Sequence, residues 1–293
     1  MRIDQPGCTD QVAEEISTFS DWVLGIGDGQ HCSVLGDAQI PIPQDILAQR
    51  HSSPIEDIVN ATYPNLEQSY KDIKYLQGRA ILAPHHEMVD RINNCMLNLI
   101  PGQEALYPSS DSIANADGSG SKTNPEYPIE FLNTIKPGGL PNHGLILKVG
   151  VPILLLRNID QTAGLCNGTR LVIRRLGQWN IQAEILTGTS VGDQVFLPRV
   201  VLTAELPYLN FTLKRRQYPI ALCFAMTINK SQGQSLEHVG LCLQHQVFCH
   251  GQLYVAISRV TSRQGLKILS SDEDGEELFT MKNIVYREVL NHG

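Results

Sequence analysis

Apolar residues recur along this chain with two different periods, and the period changes from one stretch to the next. Near the start, Val12, Ile16, Phe19 and Val23 return every three or four residues behind Asp10, the spacing of one helix face with a capping carboxylate ahead of it. That run closes on Gly25-Ile26-Gly27-Asp28-Gly29. A glycine cluster with no strand before it reads as a helix end and turn rather than a nucleotide loop. RAILAP, residues 79–84, is a short unbroken apolar run, the pattern of a buried strand. HHEMVDRINNCMLNLIPG follows, with Val89, Ile92, Met96 and Leu99 at helical spacing until Pro101-Gly102 stops the helix. Strand, turn and helix in this order form the unit of a parallel sheet, and ligands of such sheets gather at the carboxyl ends of the strands.

Residues 115–124, rich in Gly, Ser and Asn, read as a loop. From Leu145 to about Pro207 the pattern shortens to β-rich runs between turns: LILKVGVPILLLRN, a turn at Asn167-Gly168, then TRLVIRRLG, IQAEIL and QVFLPRV. These predict a small antiparallel barrel. Tyr218–Ile228 is continuously apolar and predicts one strand buried on both faces. HVGLCLQ predicts a second such strand, residues 251–260 a short helix, and LKILS a last strand. The pattern as a whole is an α/β domain interrupted by a small β domain and then resumed.

Composition narrows the class. With 293 residues, 42% of them hydrophobic and 18% charged, the chain has the make-up of an ordinary folded protein with room for two domains. Its longest apolar runs, near Val151–Leu156 and Ile220–Ile228, fall short of the roughly 20 residues that cross a bilayer. The opening MRIDQPGCTD has neither a basic nor an apolar signal region, so no leader and no membrane are expected. Seven scattered cysteines, without a C-x-x-C pair or a Cys/His cluster at zinc spacing, suit a reducing compartment and no metal.

The net charge of −7 is unevenly spread. Between Pro141 and Lys230, ten cations (Lys148, Arg157, Arg170, Arg174, Arg175, Arg199, Lys214, Arg215, Arg216, Lys230) face four acids (Asp160, Glu184, Asp193, Glu205), so this segment is +6 and the remainder −13. A basic middle in an acidic chain is the asymmetry expected if one face meets a polyanion.

One stretch carries chemistry. AMTINKSQGQSL, residues 225–236, breaks from an apolar run into Lys230-Ser231-Gln232-Gly233, a turn of the kind that approaches phosphate. Yet no G-x-x-x-x-G-K-[ST] occurs in the chain. Downstream, GQLYVAISR ends a helix on Arg259, a cation suited to charge on a transferring phosphoryl group. Neighbouring residues seldom face each other, so His85-His86 make a poor metal site and Cys249-His250 a poor nucleophile and base.

QYPIALCFAMTINKSQGQSL followed by GQLYVAISR resembles the late motifs of the petite-integration-frequency (Pif) family of superfamily-one DNA helicases. RAILAPHHEMVDRINNCML and LKVGVPILLLRN…GLCNGTRLVI resemble the same family in the same order, and Met1-Arg2 resembles the end of its asparagine-Met-Arg motif. The resemblance implies a RecA-like second helicase lobe, of the P-loop-NTPase type, formed by residues 1–140 and 211–293 around an inserted SH3-like barrel at 141–210. It implies that ATP and Mg²⁺ bind a P-loop lobe supplied by a longer isoform or in trans, so that this chain alone is inactive. Arg2 and Arg259 would be the γ-phosphate arginines, and Gln232, Gly233 and Gln252 would lie against the nucleotide. Thr227, Asn229, Lys230, His85 and His86 would meet single-stranded DNA, and a basic barrel edge of Lys148, Arg174 and Arg175 would steer the strand. Many relatives have His where this chain has Asn229, and Asn where it has His85-His86. The family places such a protein in the nucleus, with cytosol or mitochondrion as alternatives, in 5′→3′ unwinding, repair, recombination, telomere maintenance or transposition. Two competing expectations are a non-enzymatic single-strand-binding module and a truncated transposon-derived relic.

Overall fold

The computed structural model describes residues 10–30, 37–114, 127–209, 211–272 and 274–286. Two positions singled out above, Arg2 and the 115–124 loop, lie outside the described residues. The chain divides into two compact units, residues 1–99 with 224–293, and residues 100–223.

The first unit opens with α1 (Asp10–Gly27), β1 (Asp37–Pro41), α2 (Pro54–Thr62), α3 (Leu66–Ser69), α4 (Ile73–Gln77), β2 (Arg79–Ala83) and α5 (His86–Leu99). Phe19, Val23 and Ile26 of α1 are buried, as their spacing predicts. Gly25 and Gly27 lie inside the helix and Gly29 beyond it turns left-handed (φ 65°), so the glycine cluster is the end of a helix. On α5 the buried stripe is Met88, Val89, Ile92, Asn93, Met96 and Leu97. Leu99, expected on that stripe, is 39% exposed because the helix turns its end outward, and Ile100 is buried in its place.

The second unit contains β3 (Ala105–Pro108), β4 (Ser110–Ala114), α6 (Ile129–Thr134), β5 (Gly144–Leu147), β6 (Pro152–Leu155), β7 (Arg170–Leu176), β8 (Ile181–Ile185), β9 (Gln194–Leu197), β10 (Val200–Leu206), β11 (Phe211–Gln217) and β12 (Ile220–Leu222). All its ladders are antiparallel: a five-stranded sheet β12-β6-β7-β8-β9, a three-stranded sheet β10-β11-β4, and the pair β3-β5. The unit is longer at both ends than the 141–210 segment read from sequence. The reason lies in the pairing: β4 joins β11 and β3 joins β5, which ties residues from 105 onward into it. Leu132, Ile135, Leu206 and Leu213 form the core between α6 and the three-stranded sheet.

The chain then returns to the first unit through β13 (Ala225–Thr227), β14 (His238–Leu243), α7 (Gln252–Ile257), β15 (Leu266–Ser270) and β16 (Thr280–Ile284). The sheet β13-β2-β14-β15 is wholly parallel, while β1 and β16 form a separate antiparallel pair. Ala80, Ile81, Leu82, Ala83, Leu241, Cys242 and Leu243 are fully buried, as expected of central strands covered on both faces. Helices α2 and α5 pack on this sheet.

One expectation fails informatively. Tyr218–Ile228 is not a single strand. Residues 220–222 pair antiparallel with β6 in the second unit, and residues 225–227 pair parallel with β2 in the first. The break falls at Cys223 and Phe224: the Cys223 amide donates to Pro152 O, whereas the Phe224 carbonyl accepts from the Ile81 amide. The run is apolar throughout because its two parts serve two different cores.

Candidate functional site

Because β13, β2 and β14 run parallel, their carboxyl ends open on one edge. Three loops therefore meet there: residues 228–234 after β13, residues 84–85 after β2, and residues 244–251 after β14. The edge carries most of the residues singled out in sequence.

The loop after β13 is a tight turn. Thr227 is buried in extended conformation, and residues 228–231 form a single 3₁₀ turn closed by the Ser231 hydroxyl donating to Ile228 O at 2.6 Å. Asn229 and Gln232 are exposed, Lys230 half-buried. Gly233 has φ +81°, and nothing lies within 4 Å of where a Cβ would stand. Glycine is needed here for the backbone angle, and the open space leaves its amide approachable. Arg259, half-buried at the end of α7, reaches this turn. Its Nη1 donates to Gln234 O at 3.3 Å, its Nη2 to Ser258 Oγ at 2.7 Å and its Nε to Val255 O at 2.8 Å. The Leu236 amide in turn donates to Arg259 O at 2.9 Å, and Thr261 N to Leu236 O at 3.0 Å. The structure thus brings Gln232, Gly233 and Arg259 together, although 26 or more residues separate them from it in sequence.

Gln252 opens α7. It is buried, and its Oε1 accepts from the amides of Phe248 (3.0 Å) and Cys249 (3.4 Å). Its carbonyl end fixes the loop ahead of α7. His85 is exposed, its ring 4.7 Å from that of Phe248 and 5.5 Å from that of His245, while His86 opens α5. Gly27 lets α1 approach α7, since a Cβ there would strike the Tyr254 ring.

Sequence reasoning missed two contributors to this edge. Asn93 of α5 is buried, donating to Ala225 O at 2.9 Å and accepting from Ala225 N at 2.8 Å. It acts as the missing neighbour of edge strand β13 and so holds the strand whose end carries the turn. Phe248 was the other, although its position after an apolar strand was a usable signal.

The remaining candidates lie in the second unit and need correction. Lys148 is not on an exposed basic edge: its side chain is 7% exposed, and Nζ donates to Ile100 O at 2.8 Å and pairs with Glu104 at 3.4 Å. Arg174 is tied to Glu184 (Nε to Oε2, 2.8 Å), and only Arg175 of the three is exposed. Arg170 and Arg215 are fully buried. Arg215 makes a forked pair with Asp111 and donates to the carbonyls of Leu132, Ile135 and Pro141. The cations counted in the middle of the chain are therefore partly structural, and the charge offered to a polyanion is less than the count.

Other chemistries find no support at this edge. Burial pushes the Cys242 thiol up to about 11, and His250 Nδ1 accepts from the Tyr286 amide at 3.0 Å, so it is not aimed at exposed Cys249. Among the described residues no three His, Cys, Asp or Glu side chains converge on a metal position, and no helix is long and apolar enough to cross a membrane.

Comparison with known proteins gives a consistent family. A domain model described as DNA helicase Pif1, 2B domain, matches residues 130–176, and one described as Helicase matches residues 203–273. The ATP-dependent DNA helicase PIF1 of Xenopus laevis is 31% identical over 192 residues, covering 65% of this chain and 27% of the relative. Its Homo sapiens counterpart is 32% identical over 194 residues, with the same coverage, so the chain spans about a quarter of the length of these relatives. In fold, the crystal structure of Pif1 helicase from Candida albicans matches 94% of this chain and 56% of its own length, with a TM-score of 0.58 at 21% identity. In sequence over 65% of its length, in two short domain models and in fold, this chain is similar to the Pif1 DNA helicases.

Proposed function

We propose that the chain is the C-terminal motor lobe of an ATP-dependent 5′→3′ DNA helicase, with the second unit as its inserted SH3-like barrel. The observation that carries the reading is the meeting of the Gly233 loop and the Arg259 guanidinium, joined through Gln234 O. All three Arg259 contacts are to neutral acceptors, Val255 O, Gln234 O and Ser258 Oγ. A phosphate oxygen is a stronger acceptor for guanidinium than any of these, so Arg259 can exchange them for charge presented from an opposing lobe. Gln232 is exposed in the same loop, next to Gly233. When bound on a P-loop lobe, ATP and Mg²⁺ supply the phosphoryl group and neutralise its charge. Thr227 at the end of β13, Asn229 and Lys230 in the turn that follows, and His85 and His86 at the start of α5 are assigned to the DNA strand, and Arg2 to the second arginine of the pair. The names of the relatives, ATP-dependent DNA helicases, support this reading. A nuclear location belongs to the same proposal.

The test has two arms. The purified chain is expected to show no ATP turnover with or without single-stranded DNA. Joined behind the P-loop lobe of a Pif1 helicase, it is expected to turn over ATP, and Arg259→Ala to lower the rate by roughly 10³-fold or more. Turnover by the chain alone refutes the inert-lobe reading, and a fused Arg259→Ala enzyme within tenfold of its parent refutes the role of Arg259.

A second reading, a non-enzymatic single-strand-binding module, is favoured by the exposed cations Arg175, Lys214 and Arg216. It predicts oligonucleotide binding that falls steeply with salt. Binding that persists while the fused protein shows no turnover selects it.

A further inference from the structure

We propose that the five-stranded sheet of the second unit carries a separate site for unpaired nucleobases, built from Arg175, Trp179, Gln182 and Phe196. Register places three of these in one row. Arg175 of β7 is opposite Gln182 of β8, and Gln182 is opposite Phe196 of β9. Directly opposed residues share a face, and the row crosses two strand spacings, about 10 Å. Trp179 stands in the turn between β7 and β8, at the same end of the sheet as the row.

A β-bulge makes the row. Ile173 pairs with Ala183, but the register then shifts so that Arg175 pairs with Gln182. Simple alternation would turn Arg175 to the inward side, with Ile173. The extra residue lets Arg174 and Arg175 both leave the core, while Leu176 returns opposite buried Ile181. Bulges re-aim side chains in this way, often beside functional sites. The two arginines then part company. Arg174 is neutralised by Glu184 at 2.8 Å, whereas no carboxylate pairs with exposed Arg175 among the described residues.

The aromatic members are unusually open to water. Trp179 is 81% exposed and Phe196 63% exposed. Gln182 donates to Gln194 Oε1 at 2.7 Å, which holds its amide in place. Aromatic faces that accept any base, one unpaired guanidinium for phosphate and a fixed amide for base edges make up a single-strand platform. The positive charge favours a polyanion over an apolar protein partner. The choice of a nucleic-acid strand rests on the function proposed above, but the site lies on a different unit from the Gly233 edge.

The experiment uses the full chain carrying Trp22→Phe, so that Trp179 is the sole tryptophan reporter, since the chain has two. A deoxythymidine oligonucleotide is titrated at low salt, following Trp179 emission and, separately, anisotropy of a label on the strand. Saturable quenching is expected. Trp179→Ala and Phe196→Leu are each expected to weaken binding roughly 5- to 100-fold, and Arg175→Ala to lower the salt slope by about 0.7. Lys230→Ala and His85→Ala act on the other unit and separate the two claims. Weakening by the Trp179 and Phe196 changes, whatever Lys230→Ala does, supports the platform. Anisotropy binding that leaves Trp179 emission unchanged and the two aromatic variants within twofold overturns it, while leaving the sheet-edge reading standing. No binding at low salt overturns both.

Discussion

Asn93→Ala is the perturbation that tests most directly how the candidate edge is held. Asn93 is 4% exposed and Ala225 1%, so neither of their two hydrogen bonds can be replaced by water without local opening. Each bond contributes about 1 kcal/mol, and each buried backbone group left without a partner costs about 1–3 kcal/mol. Two such groups, Ala225 N and Ala225 O, are stranded, so the loss at β13 is at least about 2 kcal/mol. Edge strand β13 is three residues long and pairs only with β2, so the loss should appear locally before it appears globally. Hydrogen exchange read by mass spectrometry on peptides spanning residues 224–236 is the assay. A cost of at least about 2 kcal/mol corresponds to exchange at least about 30-fold faster there, with peptides of β15 much less affected. Asn93→Asp should fall between, since one carboxylate oxygen still accepts from Ala225 N while the other repels Ala225 O. Exchange within about fivefold of the parent in the Ala variant would refute the claim that Asn93 holds the strand.

Three further outcomes are expected. Arg215→Met strands Asp111 and three carbonyls in the core of the second unit, so it should cost about 3–5 kcal/mol in denaturant unfolding. A cost below about 1 kcal/mol would place Arg215 on the surface after all. Gly233→Ala should destabilise by about 1–2 kcal/mol through its left-handed backbone alone, and Gly233→Asn by less, because no neighbour crowds the Cβ. Equal stability of parent and Ala variant in thermal unfolding would contradict that conformation. Burial, and then repulsion from Arg79, hold the His238 imidazole below its ordinary value of 6.5. The unfolded chain then takes up this proton first as pH falls. Stability is lost as pH drops through about 6.5 and levels off once the folded form also titrates. His238→Gln should flatten melting temperature between pH 7.5 and 5.5, and an unchanged pH profile would count against it.

Local pattern was enough to read β2, α5, β14, α7 and β15, because each has a single burial environment along its length and the period of apolar positions reports it. It was also enough to read the turn at Gly233, since a left-handed residue after a buried strand leaves a glycine behind. The loop between β13 and β14, running back past α7, is what placed Gln234 beside Arg259, and strand–turn–helix spacing already implied that the loops after β2 and β13 share a carboxyl edge. Other features were not local. Arg170, Arg215 and Lys148 look like surface cations in sequence, and only the carbonyls and carboxylates brought around Arg215 and Lys148 from distant segments make those two interior. The apolar run 218–228 gives no sign of its break, because two different cores ask for the same residues. The bulge that turns Arg175 outward depends on the partner strand, and Asn93 is one polar letter on an apolar helix face until β13 lies against it. Sequence determined which segments are buried and where the chain turns. Tertiary structure alone decided which charges remain outside, since burial of a cation is set by partners that the chain supplies from far away.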